Sequence, residues 1–177
     1  LQQLAALPKI TALTSLVNAL AHSIDALFDE NISNEAHKIS LASAKILFEA
    51  LTVETERAKS WLSKVTEGAA LAGIALNSAQ MALQHKLAHV IGGHTGLQHS
   101  LIHCALLPHT LAFNLETASK ARSELQSAWE CADPAHALFR RLKELELPTS
   151  LSGLGVKKKQ LATFETAVLA NPYTNPR

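Results

Sequence analysis

Apolar side chains recur along this chain at every third and fourth position, and no stretch alternates apolar with polar residues as a half-buried strand does. Between Pro8 and Glu30 the residues Leu13, Leu16, Val17, Leu20, Ile24, Leu27 and Phe28 trace one stripe of a helix. After a turn over Asn31 to Asn34, Ile39, Leu41, Ala42, Ala44, Ile46, Leu47 and Leu51 trace a second. Thr52 to Glu56 restarts the chain. A long helix from about Glu56 to Ser78 then turns from charged to Ala-rich, which predicts a central place for its second half. Gln80 to Ile91 predicts another helix, with Gly92 and Gly93 as its stop, because glycine accepts the left-handed conformation that closes a helix. The next, over Gln98 to Asn114, carries Pro108, which lacks an N–H and is expected to kink or interrupt it. Glu116 to Glu130 alternates in charge, has few large apolar groups and belongs outside. Asp133 and Pro134 start a further helix, and the last runs from about Lys157 to Leu169, before an Asn171-Pro172 turn. With no internal repeat, the expected fold class is all-α.

A chain of 177 residues suits one domain, and 47% hydrophobic against 18% charged side chains describe a filled interior rather than a solvated arm. The 16 basic and 15 acidic groups nearly cancel, and the longest basic run is Lys157 to Lys159, so nucleic acid is not an expected partner. Cys104 and Cys131 form no CxxC pair, which excludes a zinc-thiolate site and suits a reducing, cytoplasmic location. The most apolar stretch, Gly68 to Leu83, is broken by Asn77, Ser78 and Gln80, as in a buried helix and not a membrane span. No signal-peptide pattern is present. The absence of an initiator Met and the stop at Asn175-Pro176-Arg177 read as an excerpt from a longer protein.

Nine histidines are present, and six of them fall between His85 and His109. His85 and His89 share one helix face, apart from the stripe of Leu83, Leu87 and Val90, because side chains four apart align. The pairs Asn18 with His22, and His99 with His103, repeat that spacing on two other predicted helices, so three helices can converge on one pocket. Taken alone, Asn18 and His22 read as ordinary surface groups opposite the Leu13, Leu20 and Leu27 seam. Imidazoles given by separate helices suit Zn(II) or Fe(II). They equally suit a proton donor or a seat for carboxylates, since histidine titrates near neutrality. Hydrogen-bonded histidines without a shared role are the third option. His37 and His136 belong to that option, whereas His94, in a loop after the Gly pair, and His109 are placed to line a cleft. Gly153-Leu154-Gly155 lacks a preceding strand and the Walker spacing, so it reads as a loop before a helix. No nucleophile elbow supports a hydrolase.

The run HKLAHVIGGHTGLQHSLIHCALLPHTLAFN, from His85 to Asn114, resembles the signature of the iron-containing alcohol dehydrogenases: HxxxH, a Gly pair, a later His, then LLPH and a terminal Asn. NALAHSIDALF, from Asn18 to Phe28, resembles that family's DALxHxIE segment at the right separation, and LPTSLSGLGV and ANPYTNPR resemble its late helices and loop. The resemblance implies the dehydroquinate synthase-like helical domain of that family, with Asn18, His22, His85 and His99 at the positions that hold Fe(II) or Zn(II), and His89 as a second pocket histidine. Asn18 stands where the family has aspartate, and removing the one anionic ligand weakens a dication site. NALAH, HKxxHVxGG and the extra His103 are similar to the maleylacetate reductase branch.

The resemblance further implies an N-terminal α/β half that binds NAD(P)H, with catalysis in the cleft between the halves. No GxGxxG follows a strand in this chain, so it is not expected to hold a nicotinamide by that route. The expected activity is reduction of maleylacetate to 3-oxoadipate by NAD(P)H in aromatic catabolism. His22, His85, His89, His99 and His103 would seat a small dicarboxylate or carbonyl substrate and donate the proton, with a hydrogen bond from Asn18. The expected partners are the nucleotide-binding domain of the same enzyme and, as an oligomer, a second copy. Two alternatives stay open: the half of a metal-dependent alcohol dehydrogenase in which Asn18 is a neutral ligand, and a stand-alone helical module with non-redox chemistry or binding.

Overall fold

The structure is a computed structural model and describes residues 7–52, 59–171 and 173–177. Its regular elements among those residues are all helical: α1 (Lys9–Ala26), α2 (Asn34–Ala50), α3 (Lys59–Ser78), α4 (Leu83–Thr95), α5 (His99–Leu115), α6 (Ser119–Ala128), α7 (Pro134–Glu144) and α8 (Leu161–Leu169), with single 3-10 turns at Ser152–Leu154 and Lys158–Gln160. None is long and apolar enough to cross a membrane. The predicted restart over Thr52 to Glu56 lies outside the described residues from residue 53 onward, as does Pro172 of the last turn.

The apolar stripe of α1 explains its place. Leu13, Leu16, Val17, Leu20 and Ile24 are buried, and α1 packs against α2, α3, α4 and α5. It is the central helix. The second half of α3, expected at the centre, is peripheral: only Gly68, Ala72 and Ala75 are buried there, while Ile74 and Leu76 stand 45% and 42% exposed. A short, small-residue stripe is enough to seat α3, so its remaining apolar groups face outward. At the crossing, Ser43 donates to the Gly68 carbonyl at 2.8 Å and accepts from Ser23 at 2.7 Å, joining α1, α2 and α3 in the interior. A Cβ on Gly68 would lie 2.8 Å from Leu47 Cδ2, so this approach requires glycine.

Two sequence expectations about helix ends are corrected. α4 does not stop at Gly92 and Gly93 but runs to Thr95, and Gly96, with φ of 68°, takes the left-handed position and donates its N–H to the Gly92 carbonyl. A Cβ on Gly92 would meet Ile102 Cδ1 at 3.6 Å, an ordinary contact, and one on Gly93 would meet nothing within 4 Å, so neither glycine is required by a left-handed backbone or by packing. His94 therefore lies on a helix and not in a loop. α5 passes through Pro108 without a break. The reason is burial: Leu107 and Leu111 are fully enclosed in the main core. Together the two leucines contribute about 4 kcal/mol, which outweighs the about 3 kcal/mol cost of a proline inside a helix.

The expected helix starts at Ser33 and Asp133 are present. Ser33 caps α2 by accepting the N–H of Ala36, and Asp133 caps α7 by accepting that of His136. α6 lies outside and buries Ala121 and Leu125. Trp129, just beyond it, stacks on Phe48 at 4.2 Å and donates to the Ala44 carbonyl. A second, smaller core of Ala88, Ile91, Ile102, Leu106, Val156 and Phe164 ties α4 to α5 and α8.

Candidate active site

The N-terminus of α4 fixes the site. A helix begins with N–H groups that have no partner within it, and the residue before α4, Ala82, has no side chain to offer. The acceptor comes from α1. Oδ2 of Asp25 accepts the N–H of Ala82 at 3.0 Å and that of His85 at 3.2 Å, while the N–H of Leu83 goes to Oδ1 of Asn175 at 3.2 Å. A carboxylate at this end also meets the positive pole of the helix. Asn175 is in turn held by a reciprocal amide pair with Asn114, at 3.0 and 2.8 Å.

The same Asp25 oxygen accepts Nδ1–H of His85 at 2.9 Å. That contact orients the ring, and Nε2 of His85 is then buried with no protein partner. Oδ1 of Asn18 is buried and unpartnered as well. Asn18, His22 and Asp25 follow one another at spacings of four and three, so α1 presents them on one face. The His22 ring stacks on His85 with centroids 4.5 Å apart. From α5, the His103 ring centroid lies 4.7 Å from that of His85, and its Nε2 is 3.0 Å from Nε2 of His99. His89, exposed, has its ring centroid 5.0 Å from that of His99.

All six residues expected from the spacing, Asn18, His22, His85, His89, His99 and His103, thus meet where α1, α4 and α5 cross. Buried His103 lies deepest and exposed His89 lies at the mouth. Behind His103, Gln84 gives an amide N–H to its Nδ1 at 3.0 Å and accepts the Thr110 hydroxyl at 2.6 Å.

Burial, and then the neighbouring rings, disfavour the charged forms of His103, His22 and His99 in the free protein. His103 is pushed down to about 2 by burial first, with His85, His99, His22 and His89 adding to it. His22 is lowered to about 4 by burial and then by His85, His99 and His89. His99 is lowered by burial, then by His89 and His85. Among the described residues, no group of three or more His, Cys, Asp or Glu side chains stands in a metal-holding arrangement.

The remaining histidines lie elsewhere. His37 pairs with Glu124 at 2.8 Å, as the hydrogen-bonded reading expects, and His136 is exposed on the first turn of α7. His94 bonds to the Val90 carbonyl and meets the edge of Phe164, while His109 reaches the Thr149 carbonyl, so neither joins the cluster. Burial raises the Cys104 thiol to about 12, and both cysteines are free. Cavities of about 450 Å³, bordered by Phe28, His37 and Lys120, and about 400 Å³, bordered by Trp129, His136 and Arg140, hold none of the five clustered histidines.

Sequence reasoning did not single out Asp25, Gln84, Thr110 or Asn175. Asp25 carried a signal, since it continues the Asn18 and His22 face by one turn. Gln84 precedes His85 and has no such pattern, and Asn175 acts through a contact 92 positions away from Leu83.

Residues 11–177 match the family model described as Fe-containing alcohol dehydrogenase family, C-terminal. The chain is 35% identical over 175 residues to the maleylacetate reductase of Delftia acidovorans, covering 97% of this chain and 49% of that protein. It is 31% identical over 173 residues to maleylacetate reductase 1 of Rhodococcus opacus, covering 97% of this chain and 48% of that protein. The crystal structure of maleylacetate reductase from Agrobacterium tumefaciens superposes with a TM-score of 0.90 at 32% identity, over 97% of this chain and 49% of that one. The chain thus spans about half the length of the relatives it matches. With the fold, the histidine signature and the matched residues in agreement, the chain belongs to the Fe-containing alcohol dehydrogenase family and carries its C-terminal helical domain.

Proposed function

We propose that this chain is the substrate half of an NAD(P)H-dependent oxidoreductase of the maleylacetate reductase type, acting on a carbon-carbon double bond conjugated to a carbonyl in a small dicarboxylate. The observation that carries this reading is the gathering of five histidines, with Asp25 behind His85 and a neutral Asn18 one turn before His22 on the same helix face. A nicotinamide, bound by a nucleotide-binding half, would supply the hydride taken up by one alkene carbon. The chain's own groups supply the rest. Rings kept neutral by burial acquire charge when carboxylates approach, because an anion within a few ångströms favours the imidazolium. His22 thereby becomes a donor to the substrate at the moment it binds. His85, anchored through Nδ1, exchanges protons with the pocket only through Nε2, and so is the group placed to protonate the second alkene carbon.

The side chains do not fit a resident dication as they stand. Asn18 offers a neutral oxygen, and Nε2 of His99 is taken by His103. The unpartnered Asn18 oxygen and His85 nitrogen are the one feature that favours a metal-dependent alcohol dehydrogenase instead. Two measurements on the complete enzyme decide. His85→Ala and His99→Ala are each expected to lower turnover of maleylacetate at least about 100-fold, the usual scale for a lost general acid or its partner; unchanged turnover would refute the assignment. Elemental analysis finding stoichiometric Fe or Zn, lost with His85, would establish the dehydrogenase instead.

A further inference from the structure

The buried hydrogen bonds behind the histidines have a direction, and that direction reaches the pocket. Gln84 is 1% exposed, His103 0% and Thr110 5%, so bulk water does not compete for their hydrogen bonds. The Thr110 hydroxyl donates to Oε1 of Gln84 at 2.6 Å. Nε2 of Gln84 lies 3.0 Å from Nδ1 of His103 and 3.4 Å from the His103 backbone carbonyl. The carbonyl fixes which end of the amide faces His103: the opposite orientation would set two carbonyl oxygens against each other. Nδ1 of His103 therefore accepts, and the neutral ring carries its proton on Nε2. That N–H lies 3.0 Å from Nε2 of His99, which must accept in turn, leaving the His99 proton on Nδ1.

We propose that Gln84, anchored by Thr110, is a positioning residue that sets the tautomers of His103 and His99, so that the pocket meets its ligand with an N–H on Nδ1 of His99. This rests on reading the cluster as a substrate pocket. Among the described residues, no protein hydrogen bond occupies Nδ1 of His99. On α1 and α4 the polarity is reversed: Oδ1 of Asn18 and Nε2 of His85, whose own proton is committed to Asp25, are both unpartnered acceptors. The pocket is thus polarised before anything binds, with a donor from α5 and acceptors from α1 and α4. A carboxylate or carbonyl oxygen belongs beside His99, and the Gln84 amide decides which end of an unsymmetrical substrate goes there.

Nitrogen-15 NMR of the histidine rings in the full chain, at neutral pH and without substrate, tests this directly, because protonated and bare ring nitrogens resonate far apart. His103 is expected as the Nε2–H tautomer alone and His99 as the Nδ1–H tautomer alone. In Gln84→Glu, which has no N–H to give, a proton is expected on Nδ1 of His103. In Gln84→Met, which keeps the volume without the polar group, both tautomers of His103 and His99 are expected. An Nδ1–H on His103 in the wild type would overturn the proposal, as would a signature unchanged in both variants. A residue that only packs would alter stability and leave these resonances in place. Since no turnover is measured, failure here leaves the reductase reading standing, and failure of that reading leaves the tautomers to be judged separately.

Discussion

Asp25→Ala should destabilise the domain far more than its single side chain suggests. The residue is 0% exposed, and one oxygen serves three donors: the N–H groups of Ala82 and His85 and Nδ1 of His85. Alanine leaves those three buried groups without a partner, at about 1–3 kcal/mol each. Relief of Oδ1, itself buried and unpartnered, offsets part of this. At about 2 kcal/mol for each group, three lost partners less one relieved oxygen leave a net loss of about 4 kcal/mol, a large share of the about 5–15 kcal/mol that holds a typical domain together. Asp25→Asn keeps an oxygen in place and loses only the charge assistance, so it should cost about 1–2 kcal/mol. Urea unfolding followed by far-UV circular dichroism reads both values from the midpoint at constant slope. If Asp25→Ala lost less than about 1 kcal/mol, the inference that α4 is capped from α1 would be wrong.

Acid should weaken the domain through the same cluster. An unfolded histidine takes up its proton near 6.5, whereas folded His22 does so at about 4 and His103 at about 2, so between these values the unfolded state binds more protons. Their stabilisation is complete above 6.5 and is lost as the pH falls, by about 1.4 kcal/mol per pH unit for buried His103 and by less for the half-buried, solvent-screened His22. Unfolding midpoints between pH 7.5 and pH 4.5 check this, and a flat profile would contradict it. Gly68→Ala should destabilise by about 1–2 kcal/mol, because overpacking against Leu47 outweighs the better helix propensity of alanine. A thermal melt that rises instead would show that Leu47 can yield.

The helices and the six pocket residues could be read from the sequence because both obey one rule, the 3.6-residue turn. Asn18 with His22, His85 with His89 and His99 with His103 each keep a spacing of four, so knowing that the segments are helical fixes each pair on one face. The rule fails where packing partners decide. Gly92 and Gly93 have the chemistry of a stop, yet α5 lies against that turn and the left-handed residue falls at Gly96 instead. The apolar run after Gly68 has the composition of a core helix, but whether it is enclosed depends on neighbours that local periodicity does not name. Gln84 and Asp25 escaped notice for a related reason: a polar residue beside histidines has a role only through the atom it faces across a helix crossing.

The capping of α4 also bears on when the pocket forms. A helix of 13 residues is marginal in isolation, since its first turn costs more than it returns. Here that turn is completed by Asp25, 57 residues from Ala82, and by Asn175, 92 residues from Leu83. Contacts so distant in sequence arise late, after the entropy of closing the intervening loops has been lost. His85 and His89 are therefore held in place by tertiary contacts with α1 and the segment around Asn175, and not by the intrinsic stability of their own helix.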